Sequence, residues 1–361
     1  MSTVMKAEER LQFSLRSLYK KYGYLPYKMN KFEAYDLYAS NKDFLRGDGV
    51  ITFTDTDGKL LALKPDVTLS IVKNGNDELD KQKVYYNENV YRVSGETKQF
   101  KEIMQVGLEC IGNVDLYDVY ETVCIAVESL QEISQNCVLD LSHIGLIEGF
   151  LEEAGVGESF AKKYVEFLSG KNAHSVASLC EEYGVASEKA EKLLQLIRIY
   201  GEMQSALEKL QPLCTTEKEK RAFDELFALY KLLKTTGYLP YVRLDFSVVN
   251  NRKYYNGLVF KGFVEGAFEG VLSGGQYDLL MQRMGRKSRA IGFAVYVDAV
   301  ERISGQNRPS FDVDTLVLYD ENTPIEEVVS AVKKQQADGK SVRAQTTEKG
   351  LRFNALVDLR K

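Results

Sequence analysis

Leu11, Leu15, Leu18, Tyr19 and Tyr22 recur at helical spacing and stop at Gly23, which predicts an amphipathic helix opening the chain. The period then shortens to two. Val50 to Thr54 and Lys59 to Leu63 read as strands around Asp57-Gly58, a dipeptide suited to a tight hairpin, and Pro65 suits the first turn of a helix running into Lys73. Lys83 to Arg92 and Glu102 to Gly112 predict two more strands separated by the polar loop Ser94-Gly95-Glu96-Thr97-Lys98. Asp115 is placed to cap a helix whose core side carries Leu116, Val119, Tyr120, Val123, Val127 and Leu130.

From about Ile144 to Leu233 the apolar positions keep a helical period throughout. Strands are expected again at Tyr241 to Val248, Leu258 to Val264 and Phe268 to Ser273, before Gly274-Gly275 leads into a helix. Two β-rich blocks around one helical block predict an α+β fold, a single antiparallel sheet interrupted by an insert. After Pro309 the pattern reads strand, helix, strand, strand, at 315–319, 325–336, 341–345 and 352–359. The expected division is a main domain over 1–311, with its helical insertion at about 144–238, and a short α/β domain over 312–361.

Composition narrows the function classes. With 361 residues, 44% hydrophobic, the chain can bury a full core, and a net charge of -5 gives no general electrostatic reason to hold a polyanion. The five cysteines are scattered without a Cys-x-x-Cys pair and are expected as buried free thiols. With only His143 and His174, a histidine-rich metal site is hard to assemble, so neither metal nor cofactor is expected. The N-terminus lacks a signal peptide's apolar stretch and no run approaches the roughly 18 apolar residues of a membrane helix, which points to a cytoplasmic protein.

Candidate chemistry gathers in a few short segments. Along Ile103 to Cys110, alternation puts Gln105, Gly107 and Glu109 on one face, a polar floor in which Gly107 leaves a gap for a small ligand. The plainer explanation is the solvated side of an antiparallel sheet. Lys64-Pro65-Asp66-Val67-Thr68 offers a carboxylate and a hydroxyl that together suit an ammonium group, with helix capping as the plainer explanation. Tyr254-Tyr255-Asn256-Gly257 and Gly274-Gly275-Gln276-Tyr277-Asp278 offer phenols and open backbone, although 22 tyrosines make packing roles common and Gly-Gly alone is no phosphate loop. Arg92 and Lys98 to Lys101 are basic, which by default means a solvated loop.

In their order and spacing, the segments 64–68, Tyr91-Arg92, 104–109, 254–260 and 273–278 resemble the histidyl-tRNA synthetase family over roughly residues 5 to 303. The likeness is nearest to that family's non-catalytic branch, the regulatory subunits of ATP phosphoribosyltransferase, whose hallmark aspartate is matched by Asp66. The resemblance implies a class II aminoacyl-tRNA synthetase-like antiparallel sheet flanked by helices, with a pocket for free L-histidine. Asp66 and Thr68 would take the α-ammonium, Gln105 would lie close to the amino acid, Glu109 and Tyr255 would face the imidazole, and Tyr277 would complete the wall. Tyr254 and Arg92 join the same histidine-binding set, and no catalytic residue is implied.

The departures from the synthetase pattern point the same way. Ser94 stands where an acidic partner of Arg92 is usual, Asn250 and Ala299 stand where arginines would hold ATP phosphates, and Asn30 stands near the place of the motif 1 proline. Losing even one fixed cation typically costs a phosphoryl-transfer step about 10²-fold or more. The 50 residues from 312 to 361 are about half what the family's anticodon-binding domain implies. The implied protein is a non-catalytic subunit that activates the short catalytic subunit of ATP phosphoribosyltransferase in the first step of histidine biosynthesis and transmits inhibition by histidine. It would be a homo-oligomer within a hetero-oligomer, without tRNA or membrane. A divergent histidyl-tRNA synthetase and a free-standing histidine-binding module stand as alternatives.

Overall fold

The computed structural model describes the chain except residues 1–4, 42–44, 46–48, 76–78, 94–96, 250–251, 253 and 305–310 and the side chains of 301–304. Helix α1 (Ala7–Lys21) buries Leu11, Leu15, Leu18 and Tyr19, and Gly23 takes the left-handed φ of 79° just beyond its end. Strand β1 (Leu25–Pro26) follows, then β2 (Phe32–Ala34), α2 (Tyr35–Ala39), β3 (Thr52–Thr54) and β4 (Leu60–Leu63). β2, β4 and β3 form a small antiparallel sheet. The hairpin joining β3 to β4 is fixed by Asp55, whose carboxylate accepts from the amides of Asp57 and Lys59. Helix α3 (Thr68–Lys73) begins three residues later than Pro65 suggests. The Pro65 carbonyl accepts from Arg92 Nε at 2.8 Å and so faces a neighbouring strand instead of opening a helical turn.

Strands β5 (Lys81–Val93) and β6 (Phe100–Gly112) pair along their whole length, from Lys81 opposite Gly112 to Val93 opposite Phe100. Helix α4 (Leu116–Gln131) is capped by Asp115, which accepts from the amides of Tyr117 and Asp118, as its sequence indicates. Strand β7 (Cys137–His143) was hidden between two helical patterns. The helical block follows as α5 (Ile144–Ala154), α6 (Glu158–Ser169), α7 (Ala173–Glu182), α8 (Ser187–Arg198), a short strand β8 (Tyr200–Glu202), α9 (Met203–Leu210) and α10 (Glu217–Thr236). Next come β9 (Val242–Asp245), β10 (Leu258–Val264), β11 (Leu272–Gln276), α11 (Asp278–Arg283), β12 (Arg289–Tyr296) and α12 (Val297–Ser304). The described strands of the large sheet lie in the order β1-β5-β6-β12-β11-β10-β7-β9-β8.

This sheet is antiparallel through its centre, but β1 runs parallel to β5 and β7 parallel to β9, so the expected all-antiparallel sheet is mixed at its flanks. Gly274 and Gly275 lie inside β11 instead of leading into a helix, and Phe268 is fully exposed outside it. Any side chain at Gly274 would strike the carbonyl of Gly292 and the ring of Phe260. The glycines that looked like a turn therefore let β11 sit between crowded neighbours.

Two compact units divide the chain, residues 1–303 and 304–361. In the second, β13 (Val313–Leu318), α13 (Ile325–Ala337), β14 (Val342–Gln345) and β15 (Phe353–Asp358) form a three-stranded parallel sheet with β13 in the middle and one helix. Among the described residues no helix is long and apolar enough to cross a membrane.

The start of α10 is held against α5 and α8 by a buried polar knot. Glu219 is fully buried and accepts from Lys192 Nζ at 2.9 Å and from the amides of Thr215 and Thr216, while Lys192 also pairs with Glu153. Gly149 leaves room for it, since a Cβ there would sit 2.8 Å from Glu219 Cγ. Removing Glu219 takes the acceptor from the amides of Thr215 and Thr216 and one of two carboxylates from Lys192. Glu219→Ala is expected to destabilise the chain by about 3 kcal/mol, read from urea unfolding, and a change below about 0.5 kcal/mol, the size of an ordinary surface substitution, would refute the knot's importance.

Candidate functional site

Strand register brings the polar floor together. Glu109 lies opposite Gly292, Gly107 opposite Ala294, Gln105 opposite Tyr296, and Ala294 in turn opposite Ser273, so one face of three adjacent strands carries short residues between longer polar ones. A Cβ at Gly292 would lie 1.8 Å from Glu109 Oε2; the glycine is what allows the carboxylate to stand on the sheet. This face is not the solvated side of a sheet: Gln105 and Glu109 are 4% and 2% exposed.

A cavity lies over this floor. Asp66, Thr68, Arg92, Gln105, Glu109, Tyr254, Tyr255 and Tyr277 all line it. Ser273 and Tyr296 line it too; neither was singled out as a site residue, and the signal that could have found them is their place in the paired row. The gap expected above Gly107 is partly taken, because the Tyr86 hydroxyl lies 2.5 Å from where a Cβ would be. Tyr86, opposite Gly107 on β5, was missed for want of any motif around it.

Glu109 is the electrostatic centre. Its Oε1 accepts from the Thr68 hydroxyl at 2.8 Å and its Oε2 from the Tyr277 hydroxyl at 2.6 Å. Burial pushes its carboxyl up to about 8; the two hydroxyls pull the other way and the nearby Asp66 carboxylate pushes with burial. The phenol that donates to this carboxylate is Tyr277, while Tyr255 lines the same cavity. Tyr255 packs instead on Tyr254, with ring centroids 4.5 Å apart, and Tyr254 lies 5.7 Å from Tyr277. Burial holds the Tyr254 and Tyr277 hydroxyls well above the usual phenol range, so they remain protonated donors.

Asp66 serves two ends. One carboxylate oxygen accepts from the Leu69 amide at 3.0 Å, the local capping role, while the side chain still lines the cavity. Thr68 turns its hydroxyl to Glu109. Arg92 is held by Pro65 and reaches the cavity wall, whereas Arg252 is committed to Glu148 on α5. Ala299 is buried in α12 and is not part of the lining. Asn250 and Ser94 lie outside the described residues. All five cysteines are free thiols, Cys137 half-buried and the rest buried, and the described residues contain no group of three His, Cys, Asp or Glu side chains able to hold a metal ion.

The chain is similar to known proteins over most of its length. It is 29% identical over 317 residues to an ATP phosphoribosyltransferase regulatory subunit from Clostridium botulinum, covering 85% of this chain and 75% of that protein. To the protein of the same name from Oceanobacillus iheyensis it is 26% identical over 348 residues, covering 94% and 85%. Among solved structures, an ATP phosphoribosyltransferase regulatory subunit/histidyl-tRNA synthetase from Bacillus halodurans superposes with a TM-score of 0.78 at 22% identity, covering 98% of this chain and 94% of that one. A chain of the ATP phosphoribosyl transferase (HisG:HisZ) complex from Thermotoga maritima gives 0.64 at 20% identity, covering 81% and 98%. These two likenesses speak for the fold. The histidyl-tRNA synthetase family model matches residues 3–300, and the chain belongs to that family.

Proposed function

We propose that this chain is a histidine-sensing regulatory subunit of ATP phosphoribosyltransferase, acting on a short catalytic subunit and carrying out no chemistry alone. The name borne by its relatives supports the assignment, as does the Thermotoga maritima complex among its structural neighbours. The observation that carries the histidine reading is Glu109, buried between two hydroxyl donors at the floor of a cavity with Asp66 and Arg92 on its wall. A histidine fits these groups with its ring on Glu109 and Tyr277, its ammonium on Asp66 and the Thr68 oxygen, and its carboxylate on Arg92. Gln105 borders the amino acid, and Tyr254 and Tyr255 wall the ring. The apolar Ala299 offers no cation for a nucleotide phosphate, which favours sensing over adenylate formation. Homo-oligomerisation, a cytoplasmic location and independence of tRNA belong to the same proposal.

Calorimetric titration with L-histidine is expected to saturate one site per chain, and inhibition of the catalytic subunit in the mixed complex is expected to follow the same concentration range. Glu109→Ala should weaken binding about 100-fold, as loss of a buried charged hydrogen bond does, and unchanged affinity would sink the site assignment. Histidine-dependent exchange between ATP and pyrophosphate would overturn the non-catalytic part of the proposal.

Proton linkage sharpens the test. With Glu109 titrating near 8 and a free imidazole near about 6.5, the empty pocket and neutral ligand together hold the one proton an imidazolium-carboxylate pair requires between those values. Affinity is expected to be flat from about pH 6.5 to 8. It should fall above that window, where a proton must be taken up, and below it, where one must be released. A profile indifferent to pH from about 5 to 9 would exclude Glu109 as the ring's partner.

The empty chain gives a separate reading. A carboxyl whose folded value is raised makes the folded state bind more protons, so its stability is highest below the ordinary carboxylate range and falls as pH rises toward about 8. Urea titrations should therefore show Glu109→Gln flattening the decline of stability between about pH 5 and 8. An identical slope in parent and variant would contradict the burial argument.

A further inference from the structure

A second cavity, of about 580 Å³, lies on the opposite face of the same sheet. Its floor is another cross-strand row: His143 on β7 opposite Leu258 on β10, with Gln276 at the neighbouring end of β11. The first turn of α4 and the middle of α10 cover it. Alternation along the chain thus sends Gln276 into this cavity and Tyr277 into the other.

The chemistry of its lining is polarised. Leu226, Leu229 and Leu258 are buried to 3% exposure or less, whereas Glu225 and Arg289 are about half exposed, so an apolar interior opens at a charged mouth; a second carboxylate there, Asp115, is already taken by Lys81 and by the amides of Tyr117 and Asp118. His143 fixes the anion. The Leu146 amide donates to His143 Nδ1, leaving Nε2 as the protonated nitrogen that donates to Glu225 Oε2 at 3.1 Å. This hydrogen bond holds the Glu225 carboxyl below its usual range, and Glu225 and Arg289 line the same cavity. Arg289 spends Nε on Asp278 and Nη1 on the Val114 carbonyl; its Nη2 and Glu225 Oε1 find no partner among the described residues.

We infer that this cavity binds a small aliphatic α-amino acid, its carboxylate on Arg289, its ammonium on Glu225 and its side chain among Leu226, Leu229 and Leu258. The Glu225 anion and the Arg289 cation of one cavity match the ammonium and carboxylate of a zwitterion, and the leucines of its interior match an aliphatic side chain. The site is independent of the histidine reading, since it shares no side chain with the first cavity.

L-Leucine is the probe. Titrated calorimetrically into the whole 361-residue chain, it is expected to saturate one site. Glu225→Gln should weaken it at least tenfold and Val119→Phe, which narrows the cavity, should do the same, with melting temperatures confirming that both variants fold. Glu109→Gln should leave leucine affinity unchanged while removing histidine. The inference is overturned if leucine, isoleucine, valine and methionine all fail to saturate at about 1 mM, a weak affinity for a specific site. It is equally overturned if leucine binding persists in both folded mouth variants or disappears in Glu109→Gln.

Discussion

A carboxylate buried on a β-sheet is the constraint on which this molecule is organised. Glu109 can stand where it does only because Gly292 opposite has no side chain, and it tolerates burial only because Thr68 and Tyr277 donate to it. Those two donors come from opposite ends of the main unit's sequence, one from the start of α3 and one from the end of β11. The fold must therefore bring its two β-rich blocks into one sheet for the charge to be satisfied at all. Without the two donors the carboxyl would be pushed higher still, since their hydroxyls are what oppose burial there.

The same requirement explains the crowded glycines. Gly107, Gly274, Gly275 and Gly292 sit on adjacent central strands, and each would drive a Cβ into a backbone carbonyl or neighbouring side chain. In a strand interior glycine is ordinarily unfavourable, so its repetition marks a place where side chains from elsewhere occupy the sheet surface. Here the occupants include the Tyr86 phenol and the Glu109 carboxylate on the cavity face and the Phe260 ring on the other.

Much of the site was legible because its residues come in short runs whose order resembles a known family. Asp66, Thr68, Glu109 and Tyr277 each carry a local signal, a strand alternation or a polar pair near a helix start, that survives without coordinates. What was not legible depends on register. Nothing in the run before Tyr86 announces that it will lie opposite Gly107, and which phenol reaches Glu109 is decided by where β11 ends. The fold divides likewise. The helix start at Pro65 was misplaced because Arg92, 27 residues away, takes the proline carbonyl. Strand β7 was lost between two helical patterns, and Gly274-Gly275 imitated a turn because the crowding that demands glycine there is three-dimensional.

The end of β11 borders both cavities, with Gln276 lining one and Tyr277 the other. Gln276 accepts from the Leu258 amide at 2.6 Å on one side, and the next residue donates to Glu109 on the other. Asp278, one step further, accepts from the Ala290 amide and from Arg289, and its own amide donates to Asn256, which adjoins the tyrosine pair. Gln276 ends the strand, Tyr277 turns the chain and Asp278 opens α11, so these bonds fix the strand-to-helix junction from both faces of the sheet. Each of those bonds joins groups far apart in the sequence, so the position of this junction is set by the assembled sheet and not by its local run.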